Sequence, residues 1–301
     1  MTDPVPLIRA DSLNCGYGKQ PVLHDVSFSL TAGLVHGLIG ANGTGKTTLM
    51  RTLAGQLQFS GELVVCGARP FDNPAVMDRT TLAGVDVPLP DGWSARRLFA
   101  IGAARHRRWD AAQADDLLSR FGVPVSTSYR RLSRGQKSAL SIIYACASGA
   151  ELLLLDEPYL GLDVQKRALF YDVLAEQMDR PDTTAVLSTH HLHEVETLLD
   201  TVLYLDGDGV AMNGPIDDLA DAVIEVAGPT EDVDRMLGRL GTPPELVRED
   251  LSVGSRVMLD LRNSPAAAES VYEAAGQVSD RIRVGEVTLE QAVLALGGER
   301  A

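Results

Sequence analysis

With 301 residues, 45% of them hydrophobic, the chain can hold one large α/β domain plus a smaller one around a substantial core. A formal net charge of −14 argues against a general affinity for nucleic acid or anionic lipid, though not against docking on a membrane protein. No apolar run approaches the ~20 residues that span a bilayer, and the scattered Cys15, Cys66 and Cys146 point to reduced thiols of a cytosolic protein.

Residues 1–10 include Asp3 and no long apolar stretch, so no signal peptide is expected. Residues 7–30 read as a small antiparallel sheet, because Val26, Phe28 and Leu30 alternate with Ser27 and Ser29. Within it, Cys15-Gly16-Tyr17-Gly18 sets an aromatic in a glycine-bounded turn. That ring could stack on a base, but on these residues alone an ordinary turn tyrosine is the better explanation. Residues 35–39 read as a strand, and 48–57, with Leu49, Leu53 and Leu57 at helical spacing, as a helix. Between them lies Gly40-Ala41-Asn42-Gly43-Thr44-Gly45-Lys46-Thr47, which fits the phosphate-binding pattern G-x-x-x-x-G-K-[ST]. Glycines let the backbone fold closely around phosphate oxygens, and the helix start offers N–H groups to them. Lys46 is expected on the terminal phosphates, and the Thr47 hydroxyl on Mg²⁺.

Strands are expected at 61–67 and 81–87, the second running into Pro88-Leu89-Pro90-Asp91-Gly92, and residues 93–121 read as helical. The basic cluster Arg105-His106-Arg107-Arg108 reads as a solvated helix face, with a docking patch for an acidic partner as the sharper alternative. Leu132-Ser133-Arg134-Gly135-Gln136 precedes an apolar helix reaching Ala147; it fits an anion-binding helix start and a simple N-cap equally. Leu152 to Leu155 suit a central parallel strand buried on both faces. The acids at its end, Asp156 and Glu157, would hold Mg²⁺ and polarise a water, respectively. Residues 185–190 form the next buried strand, ending at His190; with His191 and His193 a metal site is conceivable, but phosphate sensing ranks above it. A closing hairpin spans 202–212. Beyond 221 the pattern changes to strand-like 222–227, a helical stripe of Val233, Met236, Leu237 and Leu240, and alternating Val257, Leu259 and Leu261. Ser264-Pro265 would cap another helix, and Thr288-Leu289-Glu290-Gln291 makes a capping box.

In this order, Tyr17, the loop at 40–47, Leu-Ser-x-Gly-Gln at 132–136, Leu-Leu-Leu-Leu-Asp-Glu-Pro at 152–158, Gly161-Leu162-Asp163 and Ser-Thr-His at 188–190 resemble the ATP-binding subunit of an ABC transporter over roughly residues 7–220. The ending at 288–296 resembles, more weakly, the extension on ATPases serving export permeases. The resemblance implies an α/β fold, a P-loop NTPase of the ABC type with an antiparallel β subdomain and a helical subdomain at about 93–147. The ATP-binding domain would span 1–220, and a small α+β extension 221–301. It implies ATP and Mg²⁺ as ligands. Tyr17 would stack on adenine, and Gly40, Asn42, Gly43, Gly45, Lys46, Thr47 and Thr48 would surround the phosphates. Thr47 and Asp156 would serve Mg²⁺, Glu157 would be the general base, His190 would contact the γ-phosphate, and Asp163 would sit at a subunit interface. Ser133, Gly135 and Gln136 would complete the ATP site of a second ATP-binding subunit, a homodimer before a heterodimer. The other partner would be a separate transmembrane permease, which places the chain on the cytoplasmic face of the membrane; nucleic acid is not expected.

Two departures stand out. Arg134 occupies the usual first glycine of its motif. No glutamine lies between Gln58 and Gln113, where the family has one that couples the site to the permease. Asp86, or a water, is the expected substitute for Mg²⁺ or water binding near Pro88. Competing readings are a nucleotide-dependent ABC switch without transport and a weakly hydrolysing regulatory subunit.

Overall fold

The computed structural model describes residues 6–18, 20–84, 89–189, 192–206, 209–262 and 268–297. The chain divides into two compact units, Met1–His191 with Thr197–Asn213, and Leu192–Glu196 with Gly214–Ala301.

The first unit opens with β1 (Pro6–Tyr17) and β2 (Gln20–Thr31), an antiparallel pair. β3 (Val35–Ile39), buried throughout, leads through the glycine loop into α1 (Lys46–Leu53). That helix is shorter than its leucine spacing predicts. Gly55 takes φ +75°, and a Cβ there would lie 2.3 Å from the Pro70 carbonyl oxygen, so the chain turns away before Leu57. β4 (Phe59–Val65) then completes a three-stranded sheet in the order β2-β1-β4. A short α2 (Pro74–Met77) precedes β5 (Thr80–Gly84); Val85, Asp86 and Val87 of the expected strand lie outside the described residues.

The expected single helical run 93–121 is two helices, α3 (Ala95–Arg105) and α4 (Ala111–Phe121). The basic cluster therefore spans the end of α3 and the connection; its three arginines are exposed, as expected, and His106 is not. His106 is buried against the rings of Trp109 and Tyr144, while Arg105 and Arg108 lie 3.8 and 3.7 Å from Asp78 and Glu151. α5 (Arg134–Ala147) follows, then β6 (Leu152–Asp156), α6 (Val164–Met178), β7 (Thr184–Thr189), β8 (Thr201–Leu205) and β9 (Val210–Pro215). The large sheet has the order β5-β6-β7-β3-β8-β9, parallel from β5 through β8. Its central strands β3, β6 and β7 are buried along their whole length, as parallel strands covered on both faces are. One core joins α1, the small sheet and β3, β6, β7 and β8. The three cysteines are free and buried in the core; burial pushes the Cys146 thiol up to about 12.

The second unit contains α7 (Ile216–Ala220), β10 (Val223–Gly228), α8 (Thr230–Arg239), β11 (Glu245–Leu251), β12 (Gly254–Asp260), α9 (Ala268–Val278), β13 (Arg283–Glu286) and α10 (Leu289–Leu296). Its antiparallel sheet has the order β11-β12-β10-β13. Val257 and Leu259 face Val233, Met236 and Val271 of α8 and α9, whereas Met258, one residue out of phase, packs with Ala292 and Ala295 of α10. Two strands escaped the sequence pattern, β11 because it is charged and largely exposed and β13 because it is four residues long. The Ser264-Pro265 cap lies outside the described residues. The unit differs from the expected 221–301 in taking in residues from 214 and the segment 192–196. That segment belongs because Leu192 and Val195 are buried, and His193 Nδ1 is 3.3 Å from Glu290 Oε2 on α10.

Candidate functional site

Parallel sheets bind ligands beyond the carboxyl ends of their strands. At that edge β3 ends in Ile39, β6 in Asp156 and β7 in Thr189. A cavity of about 420 Å³ opens there, lined by Val22, Asn42, Gly43, Gly45, Lys46, Thr47, Thr48, Asp156, Glu157 and Leu160.

The loop takes its shape from its glycines. Gly40, Gly43 and Gly45 have φ +152°, +92° and +103°. At Gly40 a Cβ would lie 2.3 Å from the Leu205 carbonyl oxygen, and at Gly45 2.7 Å from Leu23, so a side chain at either position would collide with its surroundings. Gly45 caps α1 without any side-chain hydrogen bond, so the helix start presents backbone N–H groups to the cavity. Lys46 is only 6% exposed; its ammonium donates to the carbonyl oxygens of Gly40 at 2.6 Å and Ala41 at 3.0 Å, which offsets its burial.

The Thr47 hydroxyl donates to Asp156 Oδ2 at 2.7 Å, joining residues 109 apart in sequence. A hydroxyl and a carboxylate, with phosphates and waters supplying the other ligands, suit Mg²⁺, which seldom needs an all-protein cage. Glu157 stands at φ +43°, a left-handed backbone that costs an L-residue about 1–2 kcal/mol. Its N–H donates to Ser188 Oγ at 3.0 Å, and Ser188 Oγ donates to Asp156 Oδ1 at 2.6 Å. Sequence reasoning assigned Ser188 no role. The available signal was a serine near the end of a buried strand, Thr184–Thr189, the strand that follows Leu152–Asp156 in the chain.

The structure thus gathers Asn42, Gly43, Gly45, Lys46, Thr47, Thr48, Asp156 and Glu157 around one cavity, with Gly40 beneath it. Ser133, Gly135, Gln136 and Asp163 do not line it; they form a second cluster where α5 begins. There Ser133 Oγ accepts from the Gln136 N–H at 3.2 Å, and Gln136 Oε1 accepts from the Ser133 N–H at 3.0 Å. A Cβ on Gly135 would stand 2.4 Å from the Gly161 carbonyl oxygen. Asp163 caps α6 by accepting from the Lys166 N–H at 2.9 Å. The Arg134 stem lies along Gly161, filling the space beside the loop that leads to Asp163. Tyr17 ends β1, 45% exposed, with its hydroxyl accepting from Arg51 Nη1 at 3.1 Å. His190, His191, Asp86 and Pro88 lie outside the described residues.

The family described as "ABC transporter" matches residues 23–160. The ABC transporter ATP-binding protein YtrB of Bacillus subtilis is 30% identical over 222 residues, 73% of this chain and 76% of its own length. The daunorubicin resistance ATP-binding protein DrrA3 of Streptomyces coeruleorubidus is 30% identical over 316 residues, covering 97% of this chain and 96% of its own. Among solved structures, an ATP-binding subunit of an ABC transporter superposes with a TM-score of 0.63 at 22% identity, over 90% of this chain and 99% of that one, a likeness of fold.

Proposed function

Because the chain belongs to the ATP-binding subunits of ABC transporters, we propose that it hydrolyses ATP to drive a separate transmembrane permease, in the direction of export. The observation that carries the catalytic part is the 2.7 Å bond between Thr47 and Asp156, which joins the phosphate loop to the acid pair ending β6. In this reading the N–H groups at the start of α1 and the Lys46 ammonium hold the β- and γ-phosphates, with Lys46 exchanging its carbonyl partners for phosphate oxygens. Thr47 and Asp156 hold Mg²⁺, which when bound neutralises phosphate charge. Glu157 orients the attacking water and takes its proton, and His190 contacts the γ-phosphate. The exposed Tyr17 ring stacks on adenine.

Ser133, Gly135 and Gln136 face away from the cavity of their own chain in this proposal and meet the nucleotide of a second copy, giving a head-to-tail homodimer. The capping box suits that role. It uses the Ser133 hydroxyl and the Gln136 side chain as acceptors, and leaves the hydroxyl proton and the amide NH₂ as donors for phosphate. Among the described residues no helix is long and apolar enough to cross a membrane. In this reading the chain docks peripherally, on the cytoplasmic face, through a permease. Export is supported by the match to a daunorubicin resistance protein over 97% of the chain, second unit included. Asp86, or a water, would take the place of the family's coupling glutamine.

ATP turnover of the purified chain beside Glu157→Gln tests the reading. The wild type hydrolyses ATP, and the variant is slowed on the order of 100-fold or more and traps an ATP-bound dimer. A wild type as inactive as the variant would overturn it. For the coupling loop, Asp86→Ala with unchanged Mg²⁺-dependent turnover and transport removes Asp86 from the mechanism.

A further inference from the structure

The parallel register of β6 and β7 sets Asp156 opposite Ser188. Ser188 is fully buried, yet its hydroxyl serves both members of the acid pair. An ionised carboxylate only accepts, so the single Ser188 proton goes to Asp156 Oδ1, and a lone pair receives the Glu157 N–H. The other carboxylate oxygen, Oδ2, takes the Thr47 hydroxyl. Two hydroxyls from different elements therefore fix the plane of the Asp156 carboxylate. The same Ser188 oxygen anchors the peptide that holds Glu157 in its left-handed conformation. A second tie runs beside it, between the buried hydroxyls of Thr189 and Tyr159, so the chain after Glu157 is fastened to the end of β7 at two successive residues.

We propose that Ser188 is a positioning residue for the ATPase: it aims Asp156 at the metal and sets the backbone from which Glu157 reaches the water. A satisfied core hydroxyl with no such role would donate to a backbone carbonyl of its own strand or a neighbour. Here both of its bonds go to the two residues assigned to metal and water. The inference rests on the reading of Asp156 and Glu157 given above.

The test uses the full chain with Ser188→Ala and Ser188→Thr, the second keeping the hydroxyl. Three quantities are read: ATP turnover against Mg²⁺ concentration, calorimetric affinity for ADP with Mg²⁺ and in EDTA, and the thermal midpoint. For Ser188→Ala, turnover falls about 10–100-fold and the half-saturating Mg²⁺ concentration rises about 10-fold, the range for groups that orient metal ligands. Affinity for ADP in EDTA stays within about twofold, because the phosphate loop is untouched. Ser188→Thr recovers most of the loss. In a Glu157→Gln background the Mg²⁺ shift persists, because it passes through Asp156. Ser188→Ala with wild-type Mg²⁺ dependence overturns the proposal. So does a loss of ADP affinity in EDTA as large as the loss of turnover, which would mark a structural residue only. Should the wild type fail to hydrolyse ATP, the ATPase reading falls, while the Mg²⁺ dependence of ADP binding still decides the role of Ser188.

Discussion

Two helix starts in the first unit solve the same problem in opposite ways. α1 begins at Gly45, with a left-handed backbone and no side-chain cap. α5 begins at Ser133, with both arms of a capping box closed inside the chain. The first start depends on an outside ligand to meet its N–H groups, which is how helix N-termini bind phosphate. The second is self-sufficient as a helix and offers side-chain donors instead of bare backbone. In the proposed ATP site the two halves would then bind differently: one would surround the phosphates, and the other would offer side-chain donors from a helix that is capped without them.

Four substitutions break or sharpen that contrast. Lys46→Ala removes the cation of the bare helix start; turnover should fall on the order of 100–1000-fold, with the thermal midpoint somewhat lowered because the Gly40 and Ala41 carbonyls lose their donor. Ser133→Asp separates capping from ligand contact. Aspartate caps as well as serine and its charge favours a helix N-terminus, so stability holds in thermal melts. A carboxylate facing phosphate should nevertheless lower turnover by about 10–100-fold and weaken ATP-dependent dimerisation seen by light scattering. Unchanged dimerisation would leave Ser133 as a cap alone. Gly135→Ala drives a Cβ to 2.4 Å from the Gly161 carbonyl oxygen. We expect a loss of about 1–3 kcal/mol by denaturant unfolding, typical of overpacking, with Asp163 displaced along with its loop. Thr288→Ala is the control, because the second unit has a capping box of the same type with Gln291. It should cost about 1 kcal/mol of stability and leave turnover per folded molecule unchanged.

Much of this was readable residue by residue. The loop at 40–47, the buried strand Leu152–Asp156, a helix start at Ser133 and the capping box at Thr288 stand where their spacing placed them, since each is a local pattern of neighbouring residues. The errors have local causes too. Gly55 ended α1 early, and the residues between Arg105 and Ala111 broke a helix that apolar spacing alone would have continued. β11 was missed because a charged, exposed edge strand has no hydrophobic alternation to betray it.

The sequence by itself determined the chemistry of each segment: glycines that admit the loop backbone, hydroxyls at helix caps, carboxylates at the end of an apolar strand. Propensity, capping and periodicity act over a few residues, so they are written in the order of the chain. Only the tertiary structure decided which segments meet. The pairing of Thr47 with Asp156, the register that sets Ser188 across from Asp156, and the membership of residues 192–196 in the second unit all join residues far apart in the chain. Strand register is set by what both faces of a sheet bury, a property of the packed whole that no single stretch of sequence contains.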